Sequence, residues 1–151
     1  TRNSAVHSEI DGGTWWYPRD IVNYLQRNGV DAYYWNFSGA TTEGFINKVR
    51  QLLEQNNLCI ICLNSANLSV QTAVSKEYHT HKYYSDGSGH FLLIKGYRVV
   101  NGKTWFEIHD PWGLDKKYSD GTYCGANRYY AGEEVATCIK WNIWTVVVPY
   151  S

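Results

Sequence analysis

The stretch GSGHFLLIKGYRVVNGKTWFEIHDPWG, residues 87 to 113, decides the fold. Two largely apolar runs flank Asn101-Gly102, a dipeptide that strongly favours a two-residue turn between antiparallel strands. His90 opens the first run and Asp110 ends the second, so the midpoint between them lies beside the turn. Antiparallel pairing about that turn returns Asp110 to the neighbourhood of His90. The stretch therefore predicts a β-hairpin whose open end brings a histidine and an aspartate together.

Two helices are predicted on the N-terminal side of this hairpin. Residues 18 to 29, PRDIVNYLQRNG, have apolar residues at roughly helical spacing, with proline at the start and glycine as the stop. Residues 41 to 57, TTEGFINKVRQLLEQNN, place their apolar residues on one helical face, and Thr41 or Thr42 is the expected N-cap.

Strands are predicted between and after these helices. The aromatic segment 31 to 37 alternates as a strand does, and LCIICLN at 58 to 64 is typical of a strand buried on both faces. Residues 64 to 87 are polar and predict a surface loop or weak helix, whereas WNIWTVVVPY at 141 to 150 closes the chain as an apolar strand. We expect one α+β domain.

Composition excludes several classes of function. Lys plus Arg and Asp plus Glu balance at 14 each, so no global field favours nucleic acid or an anionic membrane surface. No apolar run is long enough for a membrane span, and the first residues lack the pattern of a signal peptide, as in a cytoplasmic chain or a mature or trimmed one. The 7 Trp and 13 Tyr suit either an aromatic core or the binding cleft of an extracellular or cell-surface protein.

The histidine and the aspartate of the hairpin are candidate catalytic residues. An imidazole whose Nδ1 proton is held by a carboxylate has a fixed tautomer and ring plane, and its Nε2 can then take a proton from a nucleophile. The alternative is structural: His90 would be a solvated strand end, and Asp110-Pro111 would only begin a turn.

The segments GHFLLIKGY and FEIHDPWG resemble the histidine and aspartate segments of papain-fold cysteine peptidases, most closely the bacteriocin-processing, double-glycine-type peptidase-like family. In that family a histidine heads a buried strand, Gly-Tyr follows, and the next strand ends in Asp-Pro. The resemblance, which covers most of residues 14 to 113, implies a papain-like fold with N-terminal helices packed on a twisted antiparallel sheet. The length of the chain predicts a single domain over residues 1 to 151. The resemblance also implies a bacterial, secreted hydrolase that needs no cofactor or metal.

The resemblance assigns roles to individual residues. His90 would be the general base, Asp110 would orient it, and Trp112 would shield their hydrogen bond from water. The implied reaction is thiol-dependent hydrolysis of a peptide or amide bond in a peptide or protein substrate. Independently of the resemblance, the Gly-Ser-Gly at 87 to 89 could hold an extended backbone beside a bound peptide, so that Gly89 would support the site. The alternative is that this segment is only a flexible entry to the strand.

The nucleophile is the part of this pattern that the chain lacks. The resembled family keeps a cysteine at the start of an early helix, where the helix dipole lowers the thiol pKa, but no cysteine precedes Cys59 here. We therefore expect the nucleophilic cysteine upstream of Thr1, on a separate N-terminal segment or chain. The alternatives are a catalytically silent papain-like pseudoenzyme and a module that binds peptides or glycans.

The four cysteines of the chain are weaker candidates. Cys59 and Cys62 lie in an apolar strand and are expected to be buried core thiols. Cys124 begins a Cys-Gly that resembles the start of the family's nucleophile helix, but Gly132 interrupts the helix that would follow. A disulfide with Cys138 or a free surface thiol is the favoured fate of Cys124.

Histidines elsewhere do not form a metal pattern. His79 and His81 could supply two ligands, and His109 lies beside Asp110, but no third clustered ligand is evident. We expect solvated loop histidines.

Overall fold

The computed structural model describes residues 17–71, 79–112, 116–139 and 144–150. This part of the chain contains three helices and one six-stranded sheet, which confirms the α+β class. The elements, in chain order, are α1 (Pro18–Arg27), β1 (Tyr33–Asn36), α2 (Thr42–Glu54), β2 (Asn57–Asn64), a 3₁₀ turn (Ser65–Asn67), β3 (Gly89–Val100), β4 (Lys103–His109), β5 (Arg128–Ala131), α3 (Gly132–Cys138) and β6 (Trp144–Pro149).

All neighbouring strands of the sheet are antiparallel, in the order β1-β6-β2-β3-β4-β5. The predicted hairpin is confirmed as β3 and β4, with Val100 paired to Lys103. Asn101 and Gly102 both have positive φ, at 52° and 76°, as the two central residues of a type I′ turn require. No described helix is long and apolar enough to cross a membrane.

Helix α2 covers one face of the sheet. The Thr41 side chain caps it by accepting a hydrogen bond from the Gly44 N–H at 2.9 Å. Its inner face buries five apolar residues against β2, β3 and α3: Phe45, Ile46, Val49, Leu52 and Leu53. Each such side chain stabilises the fold by about 1.5–3 kcal/mol when it is fully buried.

Helix α1 lies on the opposite face, where Val22 packs with Ala32 and Val146. The alternation of β2 connects the two layers, because Cys59, Ile61 and Leu63 belong to the α2 core while Ile60 contacts the α1 cluster. The prediction that this strand is covered on both faces is thus confirmed.

The aromatic strand β1 lies at the edge of the sheet rather than in its core. Its only ladder partner in the described residues is β6, and Tyr33, Tyr34 and Trp35 are all exposed. An edge strand has one neighbour fewer to cover its side chains, so its aromatic residues do not fill the interior.

The sheet places the two candidate residues at one end. His90 is the second residue of β3 and lies opposite Leu63 of β2, which puts its side chain on the face that carries the main core. Asp110 directly follows β4.

Candidate active site

The hairpin brings His90 and Asp110 together, as predicted. Nε2 of His90 lies 2.6 Å from Oδ1 of Asp110, a short hydrogen bond in which the imidazole donates to the carboxylate. The histidine side chain is 12% exposed and that of the aspartate is fully buried. The catalytic role of the pair stays a prediction.

The nitrogen that contacts Asp110 differs from the expected one. We expected Nδ1 to face the carboxylate, but Nε2 does. The register explains this: Leu93 pairs with His109, so Asp110 is level with Leu92 and is offset from His90 by two residues. Such diagonal neighbours are about 7–8 Å apart, so the bond needs the ring nitrogen that lies farther from the backbone. Nδ1 has no hydrogen-bond partner among the described residues and is the atom left to act as a base.

Asp110 is held by four donors. Oδ1 accepts from Nε2 of His90 and from the Trp112 backbone N–H at 3.0 Å, and Oδ2 accepts from the hydroxyls of Tyr84 at 2.7 Å and Tyr130 at 2.5 Å. Burial by itself raises the pKa of Asp110, but the hydrogen bond and charge of His90, with the Tyr130 and Trp112 bonds, outweigh burial and lower it. The carboxylate therefore stays ionised and keeps the imidazole oriented.

Trp112 packs against two side chains of the site, His90 and Tyr84. Its ring meets His90 edge to face, with centroids 5.4 Å apart, and stacks on Tyr84 at 4.8 Å with an angle of 11°. This contact is compatible with the shielding role expected for Trp112.

The two tyrosines were not anticipated from the sequence. Tyr84 lies in the loop before β3 and Tyr130 in β5, and both come to Asp110 through tertiary packing. Burial and the neighbouring Asp110 charge raise the pKa of both phenols, so they remain protonated donors. Neither position carries a local pattern, because the fold brings together loop and strand segments that are distant in sequence.

Gly89 is committed to the sheet. It pairs with Asn64 in the β2–β3 ladder, so its β2-facing edge is not free to bind a peptide. The close approach that a glycine permits occurs instead at Gly87, where an added Cβ would lie 2.3 Å from the backbone nitrogen of Ala66. The Gly-Ser-Gly segment, which leads into β3, thus packs closely against the 3₁₀ turn.

The expectations for Cys124 are corrected by the structure. Its side chain is fully buried in a cluster with Tyr83, Tyr84 and Tyr118, so it is not a surface thiol. It is free rather than bonded to Cys138, which lies in the separate α2 core. Burial raises the pKa of Cys124 more than the nearby Arg128 lowers it, so the inaccessible, protonated thiol is unsuited to act as a nucleophile.

The other cysteines are also buried. Burial raises the pKa of Cys59 to about 12 and that of Cys62 to about 11, which agrees with their predicted place in the core. None of the four thiols of the chain is hydrogen-bonded to the His90 ring in the described structure.

The remaining histidines are placed apart from any metal-like cluster. Within the described ranges, no group of three His, Cys, Asp or Glu side chains is arranged to hold a metal ion. His81 packs against Trp105 at 5.5 Å rather than standing in solvent, and His109 accepts a hydrogen bond from the Asn127 N–H. Burial, with the charge of Lys95, lowers the pKa of His109.

A cleft of about 560 Å³ reaches Asp110 but not His90. Asp110, Pro111 and Trp112 form one side of it, and apolar residues of the sheet form its floor. These floor residues are Ile60, Phe91 and Leu93. The cleft floor lies on the sheet face that carries α1, whereas the His90 side chain lies on the opposite face, so the cleft and Nδ1 are separated by the sheet. A largely apolar cleft of this size suits the binding of an apolar side chain.

Comparisons with known proteins add no assignment: no family model matches the chain, and no curated protein matches it either.

Proposed function

We propose that this chain forms the histidine and aspartate side of a papain-like cysteine peptidase site that hydrolyses peptide or amide bonds. The observation that carries the proposal is the 2.6 Å bond from Nε2 of His90 to a buried carboxylate, which leaves Nδ1 for a nucleophile. A solvated strand end would not need a fully buried aspartate with four donors. The α+β fold, with helices packed on an antiparallel sheet, agrees with a papain-like arrangement.

The nucleophile in this proposal is a cysteine upstream of Thr1. All four cysteines within the chain are buried, and burial raises the pKa of each. A thiol from outside these residues is therefore required at Nδ1 of His90.

The proposed reaction follows from the tautomer. The carboxylate of Asp110 can only accept, so the proton of neutral His90 is on Nε2 and the lone pair is on Nδ1. Nδ1 takes the thiol proton, and the thiolate sulfur attacks the carbonyl carbon to form a tetrahedral intermediate. As the C–N bond breaks, the imidazolium gives its Nδ1 proton to the leaving amine, and Asp110 stabilises the cation until then. Nδ1 then takes a proton from water, and the resulting hydroxide attacks the thioester carbonyl. The C–S bond breaks, the acid is released, and the imidazolium returns its proton to the thiolate.

The cleft supports a peptide as the substrate. Its apolar floor and its wall at Pro111 and Trp112 would hold an apolar side chain of the substrate on the sheet face opposite to His90.

A second candidate function is peptide binding without catalysis. It is favoured by the same cleft together with the burial of every thiol in the chain. The two functions share the fold and differ in whether a reactive cysteine faces Nδ1.

Cleavage of a mixture of quenched fluorescent peptides by the full-length gene product would separate them. The proposal predicts cleavage that is inhibited by thiol alkylation and reduced about 10²–10⁴-fold by His90→Ala, the usual contribution of a general base. The matched control is His109→Ala, which removes an imidazole that is hydrogen-bonded to the Asn127 N–H and not to the Asp110 carboxylate. Peptide binding without cleavage would establish the second function, and cleavage unaffected by His90→Ala would refute the first.

A further inference from the structure

Tyr84 makes two contacts that no other side chain of the site combines. Its hydroxyl donates to Oδ2 of Asp110 at 2.7 Å, and its ring stacks on Trp112 at 4.8 Å. The tyrosine thereby fixes the carboxylate oxygen that does not face His90 and also the ring that packs beside the imidazole. A rotation of the Asp110 carboxylate would break the Tyr84 bond and the His90 bond together.

Lys82 packs against the ring of Tyr84, and its side chain is fully buried. Its ammonium donates to the backbone carbonyls of Ser65 at 2.5 Å and Asp86 at 3.1 Å, and it lies 5.0 Å from the centroid of the Tyr84 ring. No carboxylate of a described residue lies within ion-pair distance of this ammonium. Burial lowers the pKa of Lys82, and among the charges that oppose this effect Asp110 is the largest.

These contacts form a continuous line through the interior: the Lys82 ammonium, the Tyr84 ring and hydroxyl, the Asp110 carboxylate and the His90 imidazole. A cation against the face of a phenol is held there by the ring's electrons. The Lys82 bonds to two carbonyls also tie the loop before β3 to the 3₁₀ turn that follows β2, which fixes the position of Tyr84.

We infer that Tyr84, held in place by Lys82, is a positioning residue that locks the Asp110 carboxylate and so aims Nδ1 of His90 at the reacting thiol. The catalytic part of this inference rests on the proposed function, whereas the effect on Asp110 is a property of this chain alone. Tyr84 acts through Asp110.

The chain contains a matched control in Tyr83. This neighbouring tyrosine belongs to the same buried cluster and meets Tyr84 edge to face at 5.1 Å, but its hydroxyl has no partner in the described structure. Tyr84→Phe and Tyr83→Phe each remove one buried hydroxyl and keep the ring. Only the first removes a donor to Asp110.

The direct test is the titration of the Asp110 carboxyl carbon by NMR in the 151-residue chain, labelled with ¹³C-aspartate. Tyr84→Phe should raise the midpoint by about one pH unit, since one hydrogen bond to the charged form is lost. Tyr83→Phe should shift it by less than about 0.3 units. Lys82→Met, which removes a positive charge behind Tyr84, should shift it upward as well. The groups that bear on this titration from the surrounding elements are His90 of β3, Tyr130 of β5, and Lys82, Tyr83 and Tyr84 of the preceding loop.

Equal midpoints in wild type and Tyr84→Phe would overturn the inference, as would equal shifts in the two tyrosine variants. Should Tyr84→Phe not fold, the unmodified chain still decides: the Tyr84 hydroxyl proton should be visible and protected from exchange with solvent, and rapid exchange would contradict the bond.

A kinetic measurement separates this inference from the proposed function. In the full-length protein, Tyr84→Phe should lower kcat about tenfold and leave KM unchanged, because the bond orients the base and does not touch substrate. A shifted Asp110 titration in a protein without any thiol chemistry would refute the proposed function and leave the positioning of Asp110 intact. An unshifted titration in an active enzyme would refute only the role of Tyr84.

Discussion

Replacing Asp110 with asparagine keeps the shape of the side chain and removes its charge. The amide oxygen would remain opposite Nε2 of His90 and the Trp112 N–H, and the amide nitrogen would face the hydroxyls of Tyr84 and Tyr130, which can rotate to accept. All four bonds thus change from charge-assisted to neutral ones, at about 1 kcal/mol each, and relief of the cost of burying the charge returns about 2 kcal/mol. We expect Asp110→Asn to lower the free energy of unfolding by about 2 kcal/mol at pH 7.

Urea unfolding followed by tryptophan fluorescence measures this loss. A change of about 2 kcal/mol in a chain of this size also lowers Tm by about 4–8 °C. Asp31→Asn is the matched control, because Asp31 is exposed and the same chemical change there should cost less than about 0.5 kcal/mol. Equal stability of Asp110→Asn and wild type would show that the buried carboxylate is not held by charge-assisted bonds.

Three further predictions concern the ionisation of Asp110, the buried thiols and one glycine. The pKa of Asp110 is lower in the folded than in the unfolded chain, so the stability that its ionised carboxylate gives the fold is complete above about pH 4 and is lost as the pH falls through the folded pKa. The free energy of unfolding should therefore fall less steeply with acid in Asp110→Asn than in wild type. Identical pH profiles of the two proteins would contradict the lowered pKa. The four native thiols should react with a chromogenic disulfide reagent only as fast as the chain unfolds, whereas one rapidly reacting thiol would show that a cysteine is accessible. Gly125→Ala places a Cβ about 1.9 Å from the backbone oxygen of Asp110, so it should lower the free energy of unfolding in urea by about 3 kcal/mol. The Cβ of the control Gly96→Ala meets only ordinary contacts, so this change should cost less than about 1 kcal/mol. Equal effects of the two substitutions would contradict the close approach at Gly125.

The sequence was most informative where local chemistry and tertiary structure agree. Asn-Gly is the dipeptide that most readily adopts the two successive positive φ angles of a type I′ turn, as Asn101 and Gly102 do, and that turn is the one that closes a tight hairpin. Once the turn is placed, antiparallel pairing of the two strands predicts that Asp110 lies near His90. This prediction needs no information from the rest of the chain. Helix α2 was equally predictable from the sequence, because the Thr41 cap and the apolar face that follows it both indicate a helix.

Other parts of the site depend on the three-dimensional arrangement. The use of Nε2 rather than Nδ1 follows from a two-residue offset in register, which the turn alone does not determine in the presence of a bulge between Ile94 and Gly96. The contacts of Tyr84 and Tyr130 with Asp110 depend on how a loop and the β5 strand pack. The burial of Cys124 was missed because its loop packs against Tyr83 and Tyr84, which lie far from it in sequence.

The central claim is that Nδ1 of His90 activates a cysteine, and alkylation of the full-length protein tests it most directly. At neutral pH, iodoacetamide should label a single cysteine upstream of Thr1 much faster than a free thiol, and His90→Ala should slow that labelling at least about tenfold, because the imidazole no longer takes the thiol proton. His109→Ala should leave the rate unchanged. Equal labelling in wild type and His90→Ala would contradict the account.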